Sequence, residues 1–330
     1  MKVYGVGIIG LGFMGRSMLA SMAEHDRFRV VCGWDPSAES TESAQEQQPD
    51  ISILQGAEAV ISHEEVDLVY IAAPPLSHKE YALKTIAADK PVFCEKPLGV
   101  DIAESRHLVA AVKDSGVANI INFNLATALS ATMVKEQLAA GQLGPVAGIS
   151  INLHVPQWPR AFQVSAGWLK GRAQGGYCRE VFSHWIYLTR RLLGDGTLKH
   201  TMIHYPEEST SSETFVQAEL NFGGVPVYLC GITGGAGPVG VEYTLWAEKK
   251  SFRLSSGGSF QSSDGSVWSD EPIPPRQKDR KDILRGLDAV VRVLEGDNRA
   301  MPNMADGLAV QELVEGILSG NGSQRDGIRA

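Results

Sequence analysis

The chain has 330 residues, 43% of them hydrophobic and 21% charged, and carries a formal net charge of −8. At about 150 residues per domain, two domains are expected, each with a sizeable core. The acidic balance excludes the basic surface that nucleic acid requires and offers no attraction to an anionic membrane.

Cys32, Cys94, Cys178 and Cys230 are scattered without CxxC spacing, so neither a disulfide framework nor a metal site is expected. No apolar window of about 18 residues occurs, and the start lacks a signal-like apolar segment. A cytoplasmic protein without a membrane span is therefore expected.

In chain order, Val3 to Ile9 is an apolar, β-branched run. It leads into Gly10-Leu11-Gly12-Phe13-Met14-Gly15 and then a helical segment, Arg16 to Glu24. This is strand, GxGxxG, helix. Gly10 permits the tight turn, Gly12 lets backbone approach a pyrophosphate, and Gly15 lets helix and strand pack closely. Phe13 and Met14 lie in the same loop and count with the cofactor-binding residues. Arg29 to Gly33 is a second strand, and Asp35 follows Gly15 by 20 residues. An acid there accepts hydrogen bonds from the adenosine ribose. From Pro36 to His78 there is no Lys or Arg to meet a 2′-phosphate, so NAD is favoured over NADP. Arg16 and Ser37 are the groups near enough in sequence to compromise that preference.

Ala57 to Ile61 is a weak apolar stretch. Val66 to Ala72 reads as a strand ending in Ala73-Pro74-Pro75, with Ser77 capping a helix over His78 to Ala88. Pro91 to Cys94 is a short strand carrying Glu95-Lys96-Pro97 at its carboxyl end, where open parallel sheets bind ligands. Taken alone, that charged pair reads first as a surface pair before a turn. A helix over Ile102 to Ser115 and a strand over Ala118 to Phe123 complete an alternating pattern. It implies a doubly wound parallel sheet, a Rossmann domain spanning residues 1–122.

Residues 123–330 read as a second α/β domain. A helix over Ala126 to Ala140, a strand over Val146 to His154, and a Pro/Trp loop at Pro156-Gln157-Trp158-Pro159 come first. Gly175-Gly176 then precedes a helix over Tyr177 to Leu193. Strand-like runs follow at 198–205, 214–222, 225–232, 241–247 and 251–254, with hairpin turns at Asn221-Phe222-Gly223-Gly224 and Glu248-Lys249-Lys250. This is a mostly antiparallel open sheet, which the helix 177–193 would cover. Gly234 to Pro238 reads as a mobile loop, and Gly257 to Pro275 as polar and turn-rich. Helices over 281–294 and 306–318 precede a loose tail, Arg325 to Ala330.

Glu180 and His184 stand four apart on the predicted helix, so carboxylate and imidazole share one face. Histidine suits proton transfer near neutral pH. A solvated Glu–His pairing is the plainer reading of those two residues by themselves.

The glycine loop with Asp35, the Ala73-Pro74 strand end with His78, Glu95-Lys96-Pro97, Gly175-Gly176 with His184, and Pro302 to Gly320 together resemble the Gfo/Idh/MocA family. This is the glucose–fructose oxidoreductase and inositol dehydrogenase group. The resemblance implies an oxidoreductase that moves a hydride between NAD(H) and a secondary alcohol or ketone carbon of a sugar, polyol or derivative. It implies Lys96 polarising the reacting oxygen, His184 as acid/base, and Glu180 orienting the histidine or binding a second hydroxyl. Glu95 would position Lys96, and Ala73, Pro74, His78, Glu95 and Lys96 would border the cofactor.

The chain also departs from the family pattern. Many members have Asp where Glu180 stands, and Tyr187 replaces a frequent acid. Sugar-acting members often carry an arginine after the strand 118–123, where this chain has Asn124-Leu125-Ala126-Thr127-Ala128. Asn124 and Arg179 are therefore taken as substrate-binding candidates, with Trp158, Trp168 and Trp185 as lining. Reduction of a C=N bond or a dihydrodiol is the alternative chemistry, and a non-catalytic dinucleotide sensor the alternative class. The expected partners are a small-molecule substrate and a second copy, as a dimer or tetramer through the outer sheet face.

Overall fold

The structure is a computed structural model that describes residues 1–208, 210–273 and 280–320. The expected tail Arg325 to Ala330 and the end of the 257–275 segment lie outside the described residues. The chain divides into two compact units.

The first unit holds a parallel sheet of β1 (Tyr4–Ile9), β2 (Phe28–Trp34), β3 (Ser52–Ile53), β4 (Leu68–Ile71), β5 (Val92–Glu95) and β6 (Asn119–Asn122). Their order is β3-β2-β1-β4-β5-β6, the doubly wound arrangement whose direction reverses at β1/β4. Helices α1 (Phe13–Ala23), α2 (Ala38–Gln47), α3 (Ala57–Ser62), α4 (His78–Ala87) and α5 (Ile102–Ser115) connect the strands. Strands covered on both faces must be apolar throughout. Val6, Ile8, Ile9, Leu68, Val69, Ile71, Val92 and Ile121 accordingly show no exposure, and each contributes about 1.5–3 kcal/mol through burial. Ala57 to Ile61, weak as a strand, forms the helix α3. Ser77 precedes α4 without a side-chain capping bond, while Asp101 caps α5 by accepting from Glu104 N–H at 2.8 Å.

Residues 280–311 belong to this first unit rather than to the second domain in which the sequence places them. The helix Asp282–Leu294 buries Leu287, Val290, Val291 and Val293. Its flanks are tied to the connection between α1 and β2 by Lys281–Glu24 at 2.7 Å and Arg27–Glu295 at 2.5 Å. Ile121 N–H donates to Pro302 O at 2.9 Å. No local signal in the sequence announces such a return, because it is decided by tertiary packing.

The second unit, which opens with α6 (Leu129–Ala139), comprises the described residues of 129–279 together with 312–320. It is built on β7 (Val146–Val155), β8 (Gly196–His204), β9 (Phe215–Phe222), β10 (Val225–Thr233), β11 (Gly240–Ala247), β12 (Ser251–Ser255), β13 (Phe260–Ser263) and β14 (Ser269–Asp270). The order is β14-β13-β12-β11-β7-β10-β9-β8. Only the β7/β10 pair is parallel among the described strands of this second sheet, so the sheet is mostly antiparallel, and both expected hairpins are present. The polar segment after 257 adds two short strands that composition did not suggest.

The helix expected over 177–193 is two structures. Cys178–Phe182 is a π-helical turn, and α7 (Ser183–Leu193) continues from it as an α-helix. It packs directly on the sheet at Gly231, where an added Cβ would lie 2.6 Å from the Tyr177 ring and 2.7 Å from Phe182. Trp185 stacks on Tyr243 with ring centroids 5.6 Å apart.

Candidate functional site

In the first unit, the glycine loop leaves β1 and opens α1. Gly10 has φ +95°, and a Cβ there would stand 2.6 Å from the Ala72 carbonyl carbon. A Cβ on Gly15 would lie 1.9 Å from Gly10 O, so helix and loop touch through backbone. A Cβ on Gly12, the N-cap of α1, would meet nothing within 4 Å. The open space therefore sits where the unpaired amides and positive end of the helix dipole point, the environment an anion needs. Phe13 and Met14 beside it are 46% and 41% exposed.

Asp35 ends β2 with its carboxylate fixed on both oxygens. Oδ2 accepts from Leu11 N–H at 2.7 Å and Oδ1 from Ser37 N–H at 2.8 Å. Each oxygen keeps a further lone pair for a hydroxyl donor. Arg16 donates from Nη1 to Leu11 O at 2.8 Å. These residues fit a dinucleotide: an open cradle for the pyrophosphate and an oriented carboxylate for the ribose.

The ends of β4, β5 and β6 meet around Glu95. Its Oε1 accepts from Tyr70 OH at 2.5 Å and from Asn122 Nδ2 at 2.6 Å, and the residue is 5% exposed. Burial, with the Glu95 charge, raises the Tyr70 phenol well above its ordinary pKa, so it remains a donor. Lys96 follows at 9% exposure, and the Lys96–Pro97 peptide is cis. His78 is fully buried, with Nδ1 2.8 Å from Pro97 O and Nε2 2.7 Å from Ala73 O. Burial lowers its pKa, the two carbonyls oppose that, and the Lys96 charge reinforces it. The imidazole is thus wedged between the two strand-end loops.

In the second unit, the π turn is anchored at its start by two carboxylates. Glu213, 2% exposed, accepts from Cys178 N–H at 2.7 Å, and burial raises its pKa against the pull of that amide. Arg179 donates Nε and Nη2 to Glu315 at 2.6 and 2.8 Å, and Nη1 to Arg172 O and Gly175 O at 2.8 and 3.0 Å. A planar fork met by a carboxylate on two atoms is the strong form of this interaction. Glu180 takes Gln163 Nε2 on Oε1 at 2.8 Å, with Arg160 Nη2 3.5 Å from the same oxygen. Gln163 in turn accepts from Arg160 Nε at 2.8 Å. His184 lies half-buried in the first turn of α7.

Residues 4–123 match the sequence model of the Gfo/Idh/MocA family, described as an oxidoreductase family with an NAD-binding Rossmann fold. The chain is similar to that family across all six strands of its parallel sheet. It is 28% identical over 201 residues to a 2,7-anhydro-N-acetylneuraminate hydratase of Escherichia coli, covering 60% of this chain and 51% of that protein. A levoglucosan dehydrogenase of Pseudarthrobacter phenanthrenivorans is 25% identical over 252 residues, 73% of this chain and 62% of that one. The chain thus spans roughly half the length of the first of these curated relatives. A solved levoglucosan dehydrogenase in complex with NADH and L-sorbose superposes with a TM-score of 0.83 at 17% identity, over 97% of this chain and 96% of the other. A 3-ketoreductase from Actinomadura kijaniata with NADP gives 0.79 at 17% identity, over 97% and 98%. At those identities the likeness concerns the fold, and it extends to both units.

The residues expected at the site fall into two groups. The glycine loop leaves open space at Gly12 beside the oriented Asp35 carboxylate, Lys96 is buried at the end of β5, and Asn124 and Pro74 are exposed beyond their strand ends. Three others have a different physical role. His78 presents both nitrogens to backbone, so its ring braces the loops instead of offering a cofactor contact. Arg179 spends four of its donor contacts on Glu315 and two carbonyls, which removes it from substrate recognition. Trp185 is a core residue, 5% exposed.

Sequence reasoning missed Tyr70, Asn122, Arg160, Gln163, Glu213 and Glu315. Tyr70 carried a faint signal as a hydroxyl within an apolar strand, and Arg160 as a cation among aromatics in Trp158-Pro159-Arg160-Ala161-Phe162. Glu213 and Glu315 carried none.

Proposed function

We propose that this chain is an NAD(H)-dependent oxidoreductase acting on a secondary alcohol or ketone carbon of a sugar, polyol or derivative. The observation that carries the reading is the open cradle at Gly12 beside an Asp35 carboxylate already oriented through Leu11 N–H. The bound nicotinamide supplies or accepts the hydride. The chain's own residues position the substrate and handle the proton.

Lys96 donates a hydrogen bond to the reacting oxygen and stabilises negative charge that develops on it. His184 takes the hydroxyl proton in oxidation and returns it in reduction. Glu180, steadied by Gln163, orients the imidazole or holds a neighbouring hydroxyl. Glu95 keeps the turn bearing Lys96 in place through Tyr70 and Asn122. NAD is preferred because Asp35 repels a 2′-phosphate and no Lys or Arg occurs from Pro36 to His78. The sugar-related names of the curated relatives support the substrate class, and the presence of both Lys96 and His184 supports catalysis over mere sensing.

Lys96→Met and His184→Ala test the roles. Each should lower turnover by about 10²-fold or more, the scale of lost acid–base catalysis, while NADH still binds. Turnover unchanged in His184→Ala would remove it from the mechanism.

A further inference from the structure

Two arginines border Glu180, and their surroundings differ. Arg179 is fully engaged, as described above. Arg160 is also drawn out of water, with 24% side-chain exposure. Its rewards are small. One bond from Nε reaches the neutral Gln163 amide, and a 3.5 Å contact reaches Glu180 Oε1. That carboxylate oxygen takes its short bond, 2.8 Å, from Gln163 instead. The guanidinium rests on the Phe162 ring at 4.8 Å and near the Trp158 ring at 5.8 Å. Nη1 makes no hydrogen bond to any of the described residues. A partly desolvated arginine with a long ion pair gains only about 0–1 kcal/mol from it, and aromatic stacking contributes a similar amount. Retaining this cation therefore calls for a further partner.

We propose that Arg160 is a specificity-determining residue that binds a carboxylate of the substrate, so that the preferred substrates are sugar acids and not neutral sugars or polyols. The proposal rests on the dehydrogenase reading above and narrows its substrate class. With Nε tied to Gln163 and the plane held by the aromatic rings, Nη1 and the outer hydrogen of Nη2 remain as a planar two-donor edge. That edge matches the two oxygens of a carboxylate. Charge selects the carboxylate over a phosphate. Arg160 and Glu180 together are formally neutral, so a carboxylate brings the cluster to −1, whereas a phosphate brings about −1.5 to −2 beside Glu180.

The test uses the NADH-saturated protein and equilibrium binding, read by tryptophan fluorescence or calorimetry. The probes are matched pairs: D-gluconate and D-glucitol, D-glucuronate and D-glucose, D-glycerate and glycerol, with D-glucose 6-phosphate as the phosphate arm. At least one acid should bind about tenfold or more tightly than its neutral partner, as a charge-assisted bond worth about 1.5–3 kcal/mol provides. Arg160→Gln should collapse that ratio to near one, and Arg160→Lys should keep part of it. Both variants should retain parental NADH binding, which certifies their fold. No acid exceeding its neutral partner, a ratio unchanged in Arg160→Gln, or glucose 6-phosphate binding best would each overturn the proposal. NADH is titrated first: failure to bind it refutes the dehydrogenase reading and this proposal together. NADH binding with indifference between acid and neutral probe refutes this proposal alone.

Discussion

The strand ends of the first unit and the π turn of the second use polar groups in opposite ways. Around β1, β4 and β5 the arrangement is made by backbone. Glycines without room for a Cβ bring loop and helix together, and His78 is wedged between two carbonyls. Around Glu180 it is made by long side chains, and one of the two arginines is left with an uncommitted edge. The first arrangement suits a constant ligand, and the second suits discrimination among variable ones. A backbone cradle suits the invariant phosphates of a cofactor, while side chains on a loop can change with substrate.

The largest effects should come from filling the backbone contacts. Gly15→Ala drives a methyl into Gly10 O and should cost about 3 kcal/mol or more, seen as a large fall in the denaturant midpoint. Gly12→Ala enters open space, so it should leave the midpoint nearly unchanged while weakening NADH. Equal stability of the two variants would break the contrast between contact and cradle.

Next come the arginines. Arg179→Met strands Glu315 in a site where the pair is 9% and 14% exposed, and should cost about 3–5 kcal/mol. Arg160→Met should cost about 1 kcal/mol or less. If the two melt alike, Arg160 is a structural residue and its open edge has no functional meaning.

The smallest effect is a trend. Burial raises the Glu213 pKa in the folded chain, so its protonated form is favoured there over the unfolded state. That contribution to stability is complete below the ordinary carboxylate range, near pH 4.3, and is lost as pH rises through the raised value. Glu213→Gln does not titrate, so its stability relative to the parent should climb from about pH 4 to 7. A difference independent of pH would mean that Glu213 is ionised at no cost.

The first region was legible in the sequence because its requirements are steric and local. Only glycine satisfies Gly10 and Gly15, and the spacing to Asp35 follows from one strand and one helix. The doubly wound order follows from the alternation of elements. The second region was legible only in outline. Glu180 and His184 stand at helical spacing, yet the π turn that carries Glu180 has no sequence mark, and Arg160 and Gln163 arrive from a loop whose path depends on the sheet beneath. Arg179 and His78 looked available because their partners, Glu315 and two carbonyls, lie far away in sequence. The same distance hid the return of residues 280–311 to the first unit.

The central claim is that Gly12 and Asp35 form an NAD(H) site. The most direct measurement is a fluorescence titration of the purified chain with NADH and NADPH, repeated with Asp35→Ala. Saturable binding of one NADH per chain is expected, about tenfold or more tighter than NADPH, with the gap narrowed in Asp35→Ala. Saturable binding of neither nucleotide, or tighter binding of NADPH by the parent chain, would contradict the account.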